Sequence, residues 1–148
     1  MSTEQLRCLI LPFKHLSMVL PHSMVEEIIP FAVVEPLEEE KKFHMGTMSW
    51  RKGMVPLISV EALDKQDKPE IKRRTRAAVI QMGAAEQSRY IAMILSGMPK
   101  MVVMSDTDIV SESSENMPAC MAVRVDLNGT DVFVPDMDAF EYIVSKHI

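Results

Sequence analysis

Large apolar residues and polar residues alternate with a period of two along much of this chain. The clearest run covers residues 121–127, in which every second position carries a large apolar side chain. Asn128-Gly129 follows, and this dipeptide favours the two-residue turn of a β-hairpin because both residues tolerate positive φ. Residues 131–134 then form the return strand. Alternation with this period indicates strands that bury one face, so the pattern predicts a mainly β protein.

Similar apolar runs predict further strands in both halves of the chain. They cover residues 7–13, 15–20, 46–50, 54–58, 77–82, 90–95 and 101–104. Ser23 and Glu26 have the form of a capping box, which predicts a short helix over residues 24–29 that ends before Pro30. One helical turn is expected at residues 61–63, and Pro135-Asp136 predicts the start of a C-terminal helix.

Two segments of the chain resemble each other and indicate an internal repeat. Residues 55–63 and residues 132–140 both run from a strand through a proline to an acidic turn that contains alanine. The repeat predicts two similar β lobes, each too small to bury its sheet faces alone. We therefore expect a single domain over residues 1–148. Its lobes would cover residues 14–76 and 77–134, with an N-terminal strand and a C-terminal helix packing across them.

Composition and charge narrow the class of protein. The 148 residues are 47% hydrophobic and 25% charged, with a formal net charge of -5. Nucleic-acid affinity depends mostly on cations that neutralise phosphates, and the basic run at residues 72–76 has no interleaved aromatic side chains. We expect no nucleic-acid partner. No apolar run is long enough for a membrane span, and residues 1–7 show no secretory pattern, so we expect a cytoplasmic location without membrane insertion.

The residues that usually carry chemistry are scattered. The five glycines form neither a dinucleotide-binding nor a phosphate-binding motif, and the four histidines lack metal-ligand spacing. Cys8 and Cys120 lie in apolar stretches, which favours buried thiols over nucleophiles or a disulfide. We therefore expect no catalytic residue, no metal and no cofactor, although convergence of distant residues stays open.

Residues 46–58 are the most informative stretch for function. They form two apolar runs around Trp50 and Arg51, which predicts two strands joined by a tight turn with both side chains at the corner. Trp and Arg are enriched at binding hot spots because they offer a large contact area with fixed geometry. The stretch therefore predicts a surface that docks another protein. Trp50 suits core packing between the lobes equally well.

The same stretch resembles the CheW-like domains, which are adaptors of bacterial chemosensory arrays. The family pattern of glycine, four residues, arginine-glycine, three residues and proline-valine is matched without a gap by Gly46, Arg51 and Pro56. Residues 25–28 match an earlier V-x-E-I element, and the resemblance covers about residues 5–144. The variant over residues 50–61 is most similar to the PilI and ChpC kind of type IV pilus chemosensory systems.

The resemblance implies two SH3-like, five-stranded β-barrels packed on a shared core, with short helices. It implies a non-enzymatic adaptor recruited to membrane-associated receptor arrays. One surface would meet the regulatory domain of a CheA-type histidine kinase, and another would meet the cytoplasmic tip of a chemoreceptor. Arg51 would pair with Glu27 and orient a helix against a strand. The implied partner-binding residues are Val25, Glu27, Ile28, Trp50, Arg51, Lys52, Met54, Pro56 and Leu57.

Three positions depart from the family pattern. Lys52 stands where the family has glycine, Ser59 replaces an acidic residue, and Leu95-Ser96-Gly97-Met98 replaces V-D-x-V. These departures keep open a divergent adaptor that acts as an auxiliary member of the array. A different class of protein, a small-molecule or flavin-binding β-barrel, is supported only by the β-rich, two-lobe pattern.

Overall fold

The computed structural model describes residues 5–31, 43–51, 53–65, 71–83, 89–105, 117–127 and 129–147. Within these residues the strands are β1 (Gln5–Pro12), β2 (Ser17–Pro21), β3 (Val25–Pro30), β4 (His44–Trp50), β5 (Gly53–Ile58), β6 (Arg76–Met82), β7 (Arg89–Leu95), β8 (Lys100–Ser105), β9 (Met121–Leu127) and β10 (Thr130–Pro135). The helices are α1 (Val60–Lys65) and α2 (Met137–His147), and one 3₁₀ turn covers His22–Met24.

The strands form two sheets of five strands each. The first sheet has the order β8-β1-β2-β10-β9, and the second sheet has the order β3-β6-β7-β5-β4. Most neighbours are antiparallel, whereas β10 pairs with β2 and β5 pairs with β7 in parallel. The predicted mainly β fold with two five-stranded lobes is confirmed. The described pairs leave both sheets open, so neither lobe is a closed barrel.

The two sheets divide the chain differently from the predicted lobes. The chain contributes β1 and β2 to the first sheet, builds all of the second sheet with β3–β7, and then returns to the first sheet with β8–β10. β6 and β7 follow residue 76 but pair with β3 and β5. The predicted division at residues 76 and 77 is therefore not the division between the sheets, because equivalent strands occur in a permuted order.

The internal repeat has a clear counterpart in the backbone. The N–H of Ser59 donates to the carbonyl of Phe43, and the N–H of Asp136 donates to the carbonyl of Cys120, each at 2.8 Å. The two pairs are separated by the same interval along the chain. β5 and β10 therefore occupy equivalent places, and each is followed directly by a helix.

Side-chain alternation builds one core inside each lobe and one between them. In β6, Ala77 and Val79 belong to the cluster inside the second sheet, whereas Ala78 and Ile80 belong to the central cluster. The central cluster takes residues from both sheets and from α2, including Leu11, Met18, Leu20, Ile58, Ile91, Met93, Leu95 and Phe140. A third cluster inside the first sheet includes Val19, Val125 and Val132.

The predicted helix at residues 24–29 is wrong. The 3₁₀ turn ends at Met24 without a side-chain cap, and Val25–Pro30 forms strand β3 antiparallel to β6. Val25, Ile28 and Ile29 are β-branched, which favours an extended backbone packed against a neighbouring strand. Ladder pairing with β6 therefore outweighs the local capping signal.

The other local predictions hold. α1 contains the expected turn at residues 61–63, and α2 begins directly after Asp136. Leu127 lies opposite Thr130 across the β9–β10 hairpin. Gly129 has a φ of 87° and its N–H donates to Asp126 Oδ1 at 2.8 Å. Asn128 lies outside the described residues. No helix in the described part of the chain is both long and apolar enough to cross a membrane.

Candidate protein-docking site

The turn between β4 and β5 forms a sharp corner. Trp50 lies opposite Gly53, so two residues, Arg51 and Lys52, connect the strands. Arg51 has a φ of 53°, in the left-handed region that side chains with a Cβ rarely adopt. That conformation costs roughly 1–2 kcal/mol. Lys52 lies outside the described residues, so its place in the turn stays a prediction.

The Arg51 side chain makes two contacts at this corner. Its guanidinium carbon lies 4.3 Å from the centroid of the Trp50 ring, within range for a cation–π interaction. Its Nη2 lies 4.0 Å from Glu27 Oε1, at the outer limit of an ion pair, and the two side chains are 58% and 46% exposed. Such exposed pairs contribute about 0–1 kcal/mol, so the contact orients Arg51 more than it stabilises the fold.

The Arg51–Glu27 contact joins the two edges of the second sheet. Glu27 lies on edge strand β3, and Arg51 follows edge strand β4. The sheet must therefore curl around its interior cluster so that its edges approach each other. The predicted role of orienting a helix against a strand is wrong, because Glu27 belongs to a strand. The pair instead spans the gap between two edge strands.

Trp50 forms the inner layer of this corner. It is 8% exposed and packs in the cluster inside the second sheet, so it does not lie between the two lobes as one interpretation expected. Its ring centroid is 4.9 Å from that of Tyr90, with planes tilted by 53°. The buried Nε1 has no hydrogen-bond partner among the described residues. The Trp50 ring therefore contacts the Arg51 guanidinium from the interior of the second sheet, and little of Trp50 itself is exposed.

Strand parity decides which residues of β5 face outward. Met54 is 52% exposed, Pro56 is half-buried, and Val55 and Leu57 are buried in the interior cluster. Leu57 therefore cannot contact a partner from its place in the fold, contrary to the sequence prediction. On β3, Val25 and Ile28 are half-buried against the central cluster. Among the described residues of the predicted site, Glu27, Arg51 and Met54 are exposed, and we call these three the Arg51 corner.

The sequence prediction missed a pocket elsewhere in the fold. A cavity of about 530 Å³, which we call the seam pocket, is lined by Lys14, Glu61, Lys72, Arg74, Thr75, Arg76, Ile94, Leu95, Ser96, Gly97 and Met98. No residue of the Arg51 corner lines it. The available signal was the basic run at residues 72–76, which sequence analysis considered only as a nucleic-acid patch.

The geometry gives little support to covalent or metal chemistry. Both cysteines are free thiols, Cys8 buried and Cys120 half-buried. Burial raises the pKa of Cys8. Burial also raises the pKa of Cys120, and the negative charge of Asp136 raises it further by a smaller amount. Both thiols therefore carry less of the nucleophilic thiolate at neutral pH than an ordinary cysteine. Among the described residues, no three acidic, histidine or cysteine side chains are grouped so as to hold a metal ion.

Comparison with known proteins places this arrangement in context. A family model of the CheW-like domain matches residues 7–141. The crystal structure of the scaffolding protein TtCheW from Thermoanaerobacter tengcongensis superposes with a TM-score of 0.76 at 10% identity, covering 90% of this chain and 86% of that chain. At that identity the likeness shows the fold alone. No curated protein sequence matches the chain.

Proposed function

Because the chain belongs to the family of CheW-like domains, we propose that it couples chemoreceptors to a CheA-type histidine kinase as a non-enzymatic adaptor. The observation that carries this proposal is the Arg51 corner. There, an exposed arginine with a positive φ stacks on a buried tryptophan beside Glu27. Backbone strain of this kind clusters at functional sites.

The Arg51 corner would receive the regulatory domain of the kinase. Arginine is over-represented among the residues that dominate binding energy. The Trp50 ring and Glu27 hold the guanidinium in place, which lowers the conformational entropy lost when a partner binds. Met54, exposed on the neighbouring strand, adds apolar area beside this charge.

Another surface would meet the cytoplasmic tip of a chemoreceptor, so that the protein is recruited to membrane-associated arrays. We further propose that the pathway controls type IV pilus twitching motility. The support is the stretch over residues 50–61, whose W-R-x-G-x-V-P-L-x-S-x-E variant resembles the PilI and ChpC kind of adaptor.

The departure at Ser59 keeps an N-cap at the start of α1. Ser59 is fully buried, and its Oγ accepts a hydrogen bond from the N–H of Ala62 at 3.3 Å at the start of α1. Asp136 does the same at the start of α2, where its Oδ1 accepts from the N–H of Ala139 at 3.1 Å. Ser and Asp are about equally good N-caps. The departure therefore gives no reason to favour an auxiliary role.

The test is binding of the full chain to the regulatory domain of the CheA-type kinase encoded in the same genome, measured by pull-down and titration calorimetry. We expect wild type to bind and Arg51→Glu to bind at least about ten-fold more weakly. Arg124→Glu is the matched control, because Arg124 also forms a partly exposed ion pair, 4.0 Å from Asp131, but in the first sheet.

Two results would contradict the proposal at different levels. If wild type binds neither the kinase nor a receptor tip, the adaptor function is wrong. If folded Arg51→Glu binds as tightly as wild type, or if Arg124→Glu loses as much affinity, the assignment of the Arg51 corner is wrong.

A further inference from the structure

The seam pocket is built from four segments that belong to different parts of the fold, and α1 contributes one of them through Glu61. The loop between β1 and β2 contributes Lys14, and the turn before β6 contributes Lys72 and Arg74. The link from the second sheet to the first, between β7 and β8, contributes residues 96–98. The pocket therefore lies where the two sheets meet.

Hydrogen bonds donated by backbone N–H groups hold three of the segments that line the pocket. In the β1–β2 loop, the N–H of Phe13 donates to the carbonyl of Leu16 at 2.8 Å. The N–H of Ser96 donates to the carbonyl of Pro12 at 2.9 Å, which ties the link to the first sheet. The N–H of Lys72 donates to Thr75 Oγ1 at 2.7 Å and closes the turn before β6. The pocket is thus preformed, as most ligand sites are.

The charge of the pocket is opposite to that of the whole chain. Four of the 16 Lys and Arg residues line it, whereas the chain carries a net charge of -5. Glu61 is the acidic residue in the lining. It is buried, with one carboxylate oxygen accepting from the N–H of Lys14 at 2.7 Å and the other from the hydroxyl of Ser59 at 3.2 Å. A local reversal of charge attracts anionic groups to the pocket.

The pocket also offers apolar contacts and considerable volume. Ile94 and Leu95 are buried in its wall, and Met98 is 68% exposed beside them. One water molecule takes about 30 Å³ in the liquid, so an inorganic anion would fill only a small part of 530 Å³. The lining therefore suits a larger ligand that carries both acidic and apolar groups.

We propose that the seam pocket binds an acidic peptide segment of a partner protein. Carboxylates of the segment would pair with Arg74 and Arg76, whose planar guanidinium groups match carboxylate geometry. An apolar side chain of the segment would contact Met98. This function goes beyond coupling at the Arg51 corner, because the two sites share no residue.

The test uses the full chain and a fluorescein-labelled peptide of alternating Glu and Leu, with binding followed by fluorescence anisotropy. We expect Arg74→Glu to weaken binding at least about ten-fold. Arg73→Glu is the matched control, since Arg73 lies in the same turn and is exposed but does not line the pocket. It changes the net charge equally and should weaken binding clearly less than Arg74→Glu, because its side chain does not line the pocket. Arg76→Glu tests the same pocket from β6.

The comparison peptide replaces every Glu with Gln, and inorganic phosphate serves as a competitor. The proposal is supported if the protein binds the Glu peptide and not the Gln peptide. Arg74→Glu and Arg76→Glu should then lose this binding, and Arg73→Glu should keep it. Equal binding of the Gln peptide, equal loss in Arg73→Glu, or no peptide binding overturns it. Phosphate that displaces the peptide at equal concentration also overturns it in favour of a small-anion site.

Discussion

The two sheets contain the same hairpin-and-helix unit, and the two copies differ most at their turns. The second residue of the β9–β10 turn is a glycine, Gly129, with a φ of 87°, and no side chain opposes that conformation. In the β4–β5 turn the first residue, Arg51, has positive φ, and its side chain stacks on Trp50 beside Glu27. Both copies hold a non-glycine residue at positive φ, Cys120 just before β9 and Arg51 after β4, and among the described residues only Arg51 presents a charged side chain from such a position.

The helices that follow the two hairpins differ as well. α2 has 11 residues and buries Phe140 completely in the central cluster, whereas α1 has 6 residues and places the equivalent Leu63 only partly in it. The two copies of the repeat therefore share their backbone geometry but differ in how deeply the equivalent helix residues, Phe140 and Leu63, are buried. Stability should depend more on the copy in the first sheet, and binding more on the copy in the second.

The strongest test of this asymmetry compares the two helices. Phe140→Ala leaves a cavity in the central cluster and should lower the free energy of unfolding by about 3–5 kcal/mol. Leu63→Ala removes a smaller and only partly buried side chain, so its effect should be clearly smaller. Urea unfolding followed by circular dichroism measures both. Equal losses would show that the two copies contribute equally to stability.

The helix caps provide the next test. Ser59→Ala removes a cap and also the hydroxyl that donates to Glu61, both in a buried setting. It should cost about 1–3 kcal/mol, because the Glu61 oxygen loses a partner away from water. Asp136→Ala removes one exposed cap and should cost about 1 kcal/mol. A larger loss for Asp136→Ala in the same unfolding measurement would reverse this ranking.

The turns themselves give a third comparison. Gly129→Ala forces a Cβ into a φ of 87°, and the position has open space, so the cost of roughly 1–2 kcal/mol comes from the backbone alone. Gly53→Ala is the matched control, because the space is equally open and its φ is not positive. It should change stability by less than about 1 kcal/mol. Thermal unfolding measures both variants, and Gly129→Ala should have the lower midpoint temperature. Equal midpoints would show that the positive φ at residue 129 does not cause the loss of stability.

Local pattern was enough to predict every described strand except β3, the β9–β10 hairpin and, through the internal repeat, the two-lobe fold. It failed at residues 24–29, where a capping pattern favoured a helix but pairing with β6 produced a strand. It also could not divide the chain correctly, because the permuted strand order depends on contacts between distant residues. Local pattern carries the information for single elements, and long-range pairing decides how they are assembled.

The candidate site was only partly visible in the sequence for the same reason. Arg51 and Glu27 are distant in the chain and meet because the second sheet curls until its edges approach. Leu57 was included because a pattern cannot state which face of a strand lies inside. The seam pocket was missed because its walls come from four separate segments.

The smallest expected effect concerns Cys120, which lies beside Asp136 at the start of the helix in the first sheet. Burial and the negative charge of Asp136 raise the pKa of its thiol, so less thiolate forms at a given pH. Asp136→Asn removes that charge and should lower the pKa, which makes alkylation by iodoacetamide faster near pH 8. Mass spectrometry separates Cys120 from Cys8, whose buried thiol serves as the internal reference and should keep its rate. Faster alkylation of both cysteines would point to general loosening of the first sheet rather than to a local charge effect.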